Sequence, residues 1–166
     1  MREEFVEVLV KCKKNIGLTI LMILLYTICA LVVLGGLLFG NFIMLLIGAV
    51  VGFCGYLAGS KSSIEYEYTF CNKEIDVDII YSQQKRKPVT TLDLSKMEAL
   101  VRVNGDKFAE YKNRQFASRD FSSKRAENAD EVYAMICEGN IMYLIEPGER
   151  LLNALSYVCP RKIFKN

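Results

Sequence analysis

From residue 15 to residue 60 the chain runs for 46 residues without an Asp, Glu, Lys or Arg. A water-soluble helix keeps a solvated polar face, so a stretch this long without charge is foreign to an ordinary globular domain. It divides into two apolar segments, residues 16–34 and 42–59, separated by Gly35-Gly36-Leu37-Leu38-Phe39-Gly40-Asn41. Nineteen residues of helix rise about 28 Å, close to the ~30 Å hydrocarbon core of a bilayer. The Gly pair and the Gly-Asn step supply turn chemistry between two antiparallel helices. The expectation is a transmembrane helical hairpin within residues 1–60, preceded by a short charged flank.

Lys11, Lys13 and Lys14 stand before the first span and Lys61 follows the second, while the intervening turn has no charge. The positive-inside rule then predicts a multi-pass protein of the cell membrane with both termini cytoplasmic. A secretory signal is the rival reading of the first span, but a second apolar span follows at once and no small-x-small cleavage site precedes it. The six cysteines, Cys12, Cys29, Cys54, Cys71, Cys137 and Cys159, form no Cys-x-x-Cys pair, in keeping with a reducing compartment. The chain has no His, which removes His-based general bases and the commonest metal ligand. Neither span holds an ionisable Asp, Glu, Lys or Arg, so a proton relay or ion pathway has nothing to work with.

Gly48, Gly52, Gly55 and Gly59 fall at i, i+4, i+7 and i+11 and share one face of the second span. Such a face lets another helix backbone approach closely. Its partner is either the first span of the same hairpin or a second molecule, giving a homo-oligomer or a complex with another membrane protein.

Beyond residue 60 the pattern changes period. Ile64, Tyr66, Tyr68 and Phe70 alternate with Glu65, Glu67 and Thr69, and Ile75, Val77 and Ile79 alternate with Glu74, Asp76 and Asp78. This two-residue period marks two half-buried strands around a turn at Cys71-Asn72-Lys73. Weaker strands are expected at 89–94, 97–103 and 120–124. A tight hairpin is expected at 132–145 around Glu138-Gly139-Asn140. Leu151, Leu152, Leu155 and Val158 recur at helical spacing after Pro147, and Pro160 stops the run. Residues 104–120 have no assigned conformation.

About seven short strands closed by one amphipathic helix follow the order of a pleckstrin-homology-like barrel. The fold expected is therefore an α+β membrane protein: a two-helix transmembrane hairpin, then a PH-like β-barrel over residues 61–166 capped by a C-terminal helix. The opening hairpin Glu65-Tyr66-Glu67-Tyr68-Thr69-Phe70 with Asn72, Glu74 and Ile75-Asp76-Val77-Asp78 carries a closer likeness. So do Lys85-Arg86-Lys87, Asp120-Phe121-Ser122-Ser123, Glu146-Pro147 and Pro160-Arg161-Lys162. Together they resemble a family of small uncharacterised bacterial membrane proteins with an N-terminal two-helix hairpin and a C-terminal PH-like domain. The resemblance covers nearly the whole chain and implies a tethered domain with no assigned activity.

Lys85, Arg86 and Lys87 form the densest charge in that domain and are the candidate contact for anionic lipid headgroups, the other reading being a solvated turn. Asp76 and Asp78 lie on one strand face with Glu74, a pattern that suits an acid–base pair, a divalent cation or a solvated surface paired with neighbouring bases. Ser122-Ser123 has no adjacent general base. No phosphate-cradling glycine motif occurs, and the formal charge of +2 argues against nucleic acid. Lys107, Lys112, Arg114 and Arg119 interleave with Phe108, Tyr111 and Phe116, which suits a nucleic-acid or membrane-surface contact or a half-buried loop. The expected function is non-enzymatic, with no cofactor and no metal: a membrane-held interaction module for an unknown protein partner. The alternative is an anionic-lipid or membrane-surface sensor using residues 85–87.

Overall fold

The computed structural model describes residues 5–164, so residues 1–4 of the expected flank and residues 165–166 of the final segment lie outside the described residues. The chain forms two compact units. One comprises Lys14–Ile64 with Tyr81–Lys85, and the other holds the rest.

In the first unit, α1 (Ile16–Leu38) and α2 (Phe42–Ser62) form a helical hairpin, and each is long and apolar enough to cross a membrane. Asn15 and Asn41 begin them as N-caps: the Asn15 side chain accepts from Leu18 N at 3.3 Å and that of Asn41 from Ile43 N at 3.0 Å. The sequence reading ends the first helix at Leu34 and assigns Gly35-Gly36 to the turn. The helix instead continues to Leu38, and the reversal is made by Phe39, Gly40 (φ +62°) and Asn41. Gly36 serves packing. A Cβ there would lie 2.9 Å from Leu45 Cδ2, so the missing side chain lets α2 come close.

Only Gly36, Gly48 and Gly55 are buried within the two helices, while Leu38, Phe39, Phe42 and Ile43 stand mostly exposed. The pair leaves most of its apolar surface exposed. The open end is held by backbone and serine bonds: Asn15 N to Ser62 O at 3.0 Å and Ser62 Oγ to Gly59 O at 2.7 Å. Ser82, in the turn at 82–84, donates its amide to Ser63 O at 2.9 Å and its hydroxyl to Ser60 O at 3.1 Å. Three of the last four α2 carbonyls, those of Gly59, Ser60 and Ser62, thereby find donors other than the backbone amides of the helix.

The second unit contains two sheets. The first is ordered β1-β2-β3-β4, with β1 (Val6–Lys11), β2 (Ile64–Cys71), β3 (Glu74–Tyr81) and β4 (Lys85–Asp93). The second is ordered β6-β8-β7-β5-β9, with β5 (Met97–Arg102), β6 (Ala117–Asp120), β7 (Tyr133–Cys137), β8 (Ile141–Ile145) and β9 (Ile163–Phe164). Helix α3 (Gly148–Val158) lies between β8 and β9 in the chain. Main-core residues come from both sheets and the helix, among them Tyr68, Ile75, Leu92, Leu100, Met135 and Leu155.

Several expectations are corrected. Among the described residues, eight strands follow residue 61 where about seven are expected, a ninth precedes the hairpin, and they do not close into a barrel. Asp93 explains one break: its carboxylate accepts from Ser95 N at 2.8 Å and Ser95 Oγ at 2.6 Å, turning the chain into a single 3-10 turn between β4 and β5. Those same bonds hold the Asp93 carboxyl below its ordinary range. The helix is not the last element, because β9 returns to pair in parallel with β5. The expected strand at 120–124 ends at Asp120, where the carboxylate takes Ser122 N at 2.9 Å and Ser122 Oγ at 2.6 Å.

The largest correction concerns the flank. Residues 6–11 form β1, antiparallel to β2 with Val6 opposite Phe70, Val8 opposite Tyr68 and Val10 opposite Tyr66. The helical hairpin is thus an insertion between two paired strands of one sheet. The stretch 1–60 therefore holds a strand of the second unit as well as the helices.

Residues 104–120 also acquire a place. Asp106–Tyr111 is a 3-10 helix, and Phe108, Tyr111 and Phe116 cover Ala99, Val101, Ala134 and Ile136 on the face of the second sheet away from the main core. Strands β5 and β7 are consequently buried on both faces, and the aromatics of this stretch serve packing.

Candidate functional site

Lys85, Arg86 and Lys87 lie at the start of β4, an outer strand, and not in a loop. Pro88 follows them and is tolerated there because an edge strand does not need its N–H for the ladder. Alternation along a strand turns Lys85 and Lys87 to one side and Arg86 to the other. Arg86 forms an ion pair with Glu67 of β2, and its Nε is 3.8 Å from Asp78 Oδ2 of β3. Glu67 is 8% exposed, so the pair is largely desolvated on the carboxylate side. The three side chains thus do not share one face of the strand.

Asp76 and Asp78 share this face. Asp76 Oδ1 accepts from Thr91 Oγ1 at 2.6 Å, and both carboxylates line a cleft of about 550 Å³ with Thr69, Arg86, Pro88 and Thr90. Among the described residues no group of His, Cys, Asp and Glu is arranged to hold a metal ion. A second concavity, about 610 Å³, runs beside α3 and β9 and is lined by Asp106, Lys107, Glu110, Ser156, Ile163 and Phe164. Lys107 is engaged there, bonded to Glu110 Oε1 at 2.6 Å and poised over the Phe164 ring.

The densest polar arrangement is buried, and sequence reasoning assigned it no role. Glu146, 4% exposed, follows β8 and accepts from Ser123 N at 2.7 Å and Asn128 Nδ2 at 3.3 Å. Tyr68 Oη donates to Phe121 O at 2.7 Å and accepts from Glu146 N at 3.4 Å. Lys13 N donates to Ser123 O at 2.8 Å, and Cys12 Sγ approaches Ser122 O at 3.8 Å. The node therefore ties the segment after β1 to β2, to the turn after β6 and to the end of β8.

Burial, then the Glu146 carboxylate, push the Cys12 thiol up to about 11, and burial likewise raises Tyr68. A thiol so shifted is protonated at neutral pH and a poor nucleophile. Ser122 Oγ is held by Asp120, and Ser123 Oγ accepts from Arg125 N at 3.2 Å. The chemistry of this node is structural cross-linking. Its one trace in the sequence is the pair of motifs Asp120-Phe121-Ser122-Ser123 and Glu146-Pro147, which the fold brings together.

Gly48, Gly52, Gly55 and Gly59 all face α1. A Cβ on Gly48 would lie 2.6 Å from Val33 Cγ2, one on Gly59 2.7 Å from Met22 Sδ, and one on Gly55 3.3 Å from Tyr26. At Gly52 the nearest atom would be Cys29 Sγ at 3.1 Å. A Gly52→Cys chain, oxidised in membranes, is expected to link to Cys29 within one molecule. Non-reducing gels and peptide mass mapping check this; a disulfide-linked dimer as the main product would mean the glycine face meets a second chain.

A family model described as Bacterial PH-like domain (DUF6106) matches residues 2–165, from before β1 to β9. The chain belongs to this bacterial PH-like family. The match runs through the helices, so the inserted hairpin lies inside the matched region. No curated protein and no solved structure matches the chain.

Proposed function

We propose that the chain is a non-enzymatic, membrane-anchored interaction module that presents its PH-like domain at the cytoplasmic face of the cell membrane to a protein partner. The observation that carries this reading is the insertion of two exposed apolar helices between β1 and β2. Leaving so much apolar helix surface in water is unfavourable, and lipid is the natural cover. Because the chain leaves from β1 and returns to β2, with Lys11 opposite Glu65, the anchor is an insertion within the chain of the domain. Anchoring raises the local concentration of the domain near other membrane proteins, so weak contacts suffice. PH-like domains generally serve as non-catalytic interaction modules.

Sensing of anionic lipid by Lys85, Arg86 and Lys87 together is the weaker reading, since Arg86 is engaged by Glu67 and Asp78. Flanking lysines favour cytoplasmic termini, and the near-balanced charge disfavours nucleic acid. The full chain is expected to float with neutral vesicles at high salt and to stay with them through an alkaline wash. Recovery in the soluble fraction would overturn the anchor.

A further inference from the structure

We propose that the open end of the helical hairpin is a binding site for anionic phospholipid headgroups, built by Lys14, Lys61 and Lys85 around the turn at Ser82. The inference rests on the hairpin spanning a bilayer. The unit made of residues 14–64 and 81–85 contains these three lysines and no carboxylate. All three are exposed, and among the described residues none of them makes an ion pair.

Hydrogen bonds gather them at one end. Asn15 N, next to Lys14, donates to the carbonyl of Ser62, next to Lys61. Ser82 N donates to Ser63 O at 2.9 Å and Ser82 Oγ to Ser60 O at 3.1 Å, which seats the turn between β3 and β4 on the end of α2. Ser82 and Gln83 both adopt left-handed backbone conformations, φ 48° and 60°, and Gln84 N closes the turn onto Tyr81 O at 3.0 Å. Lys85 leaves directly from this turn. A backbone conformation that L-residues rarely adopt, held by two bonds to a helix end, makes the turn a fixed foot at the level where the apolar helices stop.

Three positive charges at the rim of a hydrocarbon-facing hairpin, with no acid in the unit, look to the membrane for counterions. The anion available at that depth is the lipid phosphate. A zwitterionic headgroup brings its own cation, so net-negative lipids are favoured. Each basic residue near an anionic surface favours it roughly fivefold. The site differs from residues 85–87 as a run: it uses Lys85, leaves Arg86 to its ion pair and does not need Lys87.

The full chain, reconstituted in vesicles of mixed phosphatidylcholine and phosphatidylglycerol, is purified with its bound lipid and the lipid ratio is measured by mass spectrometry. Phosphatidylglycerol is expected to be enriched on the order of tenfold over the bulk ratio. The triple variant Lys14→Gln, Lys61→Gln, Lys85→Gln is expected to fall to about twofold or less, and the corresponding Lys→Arg triple to keep the enrichment. A control triple on the other unit, Lys87→Gln, Lys96→Gln, Lys112→Gln, is expected to keep it too. Absence of enrichment in the unaltered chain, or its survival in the first triple, overturns the site while flotation still supports the anchor. Failure to float in any vesicle overturns the anchor and the site together.

Discussion

A chain that begins at residue 61 is expected to show no cooperative thermal or urea transition, although it contains every strand that alternation marks out between residues 64 and 145. It lacks β1. That strand contributes buried Val10 and half-buried Val6 and Val8 to the main core and satisfies one edge of β2. Burial of three valines contributes roughly 3–5 kcal/mol. This is a large share of the ~5–15 kcal/mol that holds a typical domain. The loss of Lys13 N on Ser123 O adds to the damage. Conversely, replacing residues 14–62 by a short Gly-Ser linker is expected to give a soluble, cooperatively folding domain. Lys11 and Glu65 are cross-strand partners, so a few residues can close the gap as an ordinary hairpin. Circular dichroism with urea titration of the two chains checks both halves. A cooperative transition in the shorter chain would show that β1 is dispensable.

In that relinked domain, Glu146→Ala is expected to cost about 3 kcal/mol or more, and Tyr68→Phe about 1–3 kcal/mol. Alanine leaves the buried Ser123 N without its acceptor at 2.7 Å and Asn128 without its own. Phenylalanine removes one donor and one acceptor, leaving Phe121 O and Glu146 N unpaired beside an otherwise unchanged ring. Glu146→Gln should fall between, since one amide oxygen keeps the Ser123 bond while the amide NH₂ faces the Asn128 donor. Glu149→Ala, three residues on and exposed, should stay within about 0.5 kcal/mol of the unaltered domain. A shift of the urea midpoint by Glu146→Ala no larger than that of Glu149→Ala would show that the node is not structural.

The two helices, the β2–β3 hairpin, the β7–β8 hairpin and α3 were legible because each is announced by a local pattern. Charge-free length marks a span, a two-residue period marks a strand, and a Gly-Asn step marks a tight turn. Residues 6–11 carry the same alternation, Val6, Val8 and Val10 against Glu7, Leu9 and Lys11. Yet a strand is defined by a partner, and its partner lies beyond the whole hairpin, from residue 64 onward. Placed just before a span, its charges read more simply as membrane-flanking. Lys85, Arg86 and Lys87 show the complementary limit: three adjacent charges look like one cluster in a list of letters. Strand geometry splits them, and Glu67, eighteen residues upstream of Lys85, takes Arg86.

Composition and periodicity alone determined that this chain has two long apolar helices joined by a turn and a strand-rich remainder, and that it has no histidine. These are properties of single residues or near neighbours, and water or lipid reads them directly. Pairing across the hairpin, the choice of two sheets over a barrel, the direction of the glycine face and the meeting of Glu146 with Ser123 and Tyr68 were decided by tertiary structure. Each depends on which separate segments share a hydrogen bond or a buried surface, and no local pattern specifies a partner in another segment. The insertion of the hairpin follows the same physics: β1 is a half-buried strand only because β2 is there to receive it.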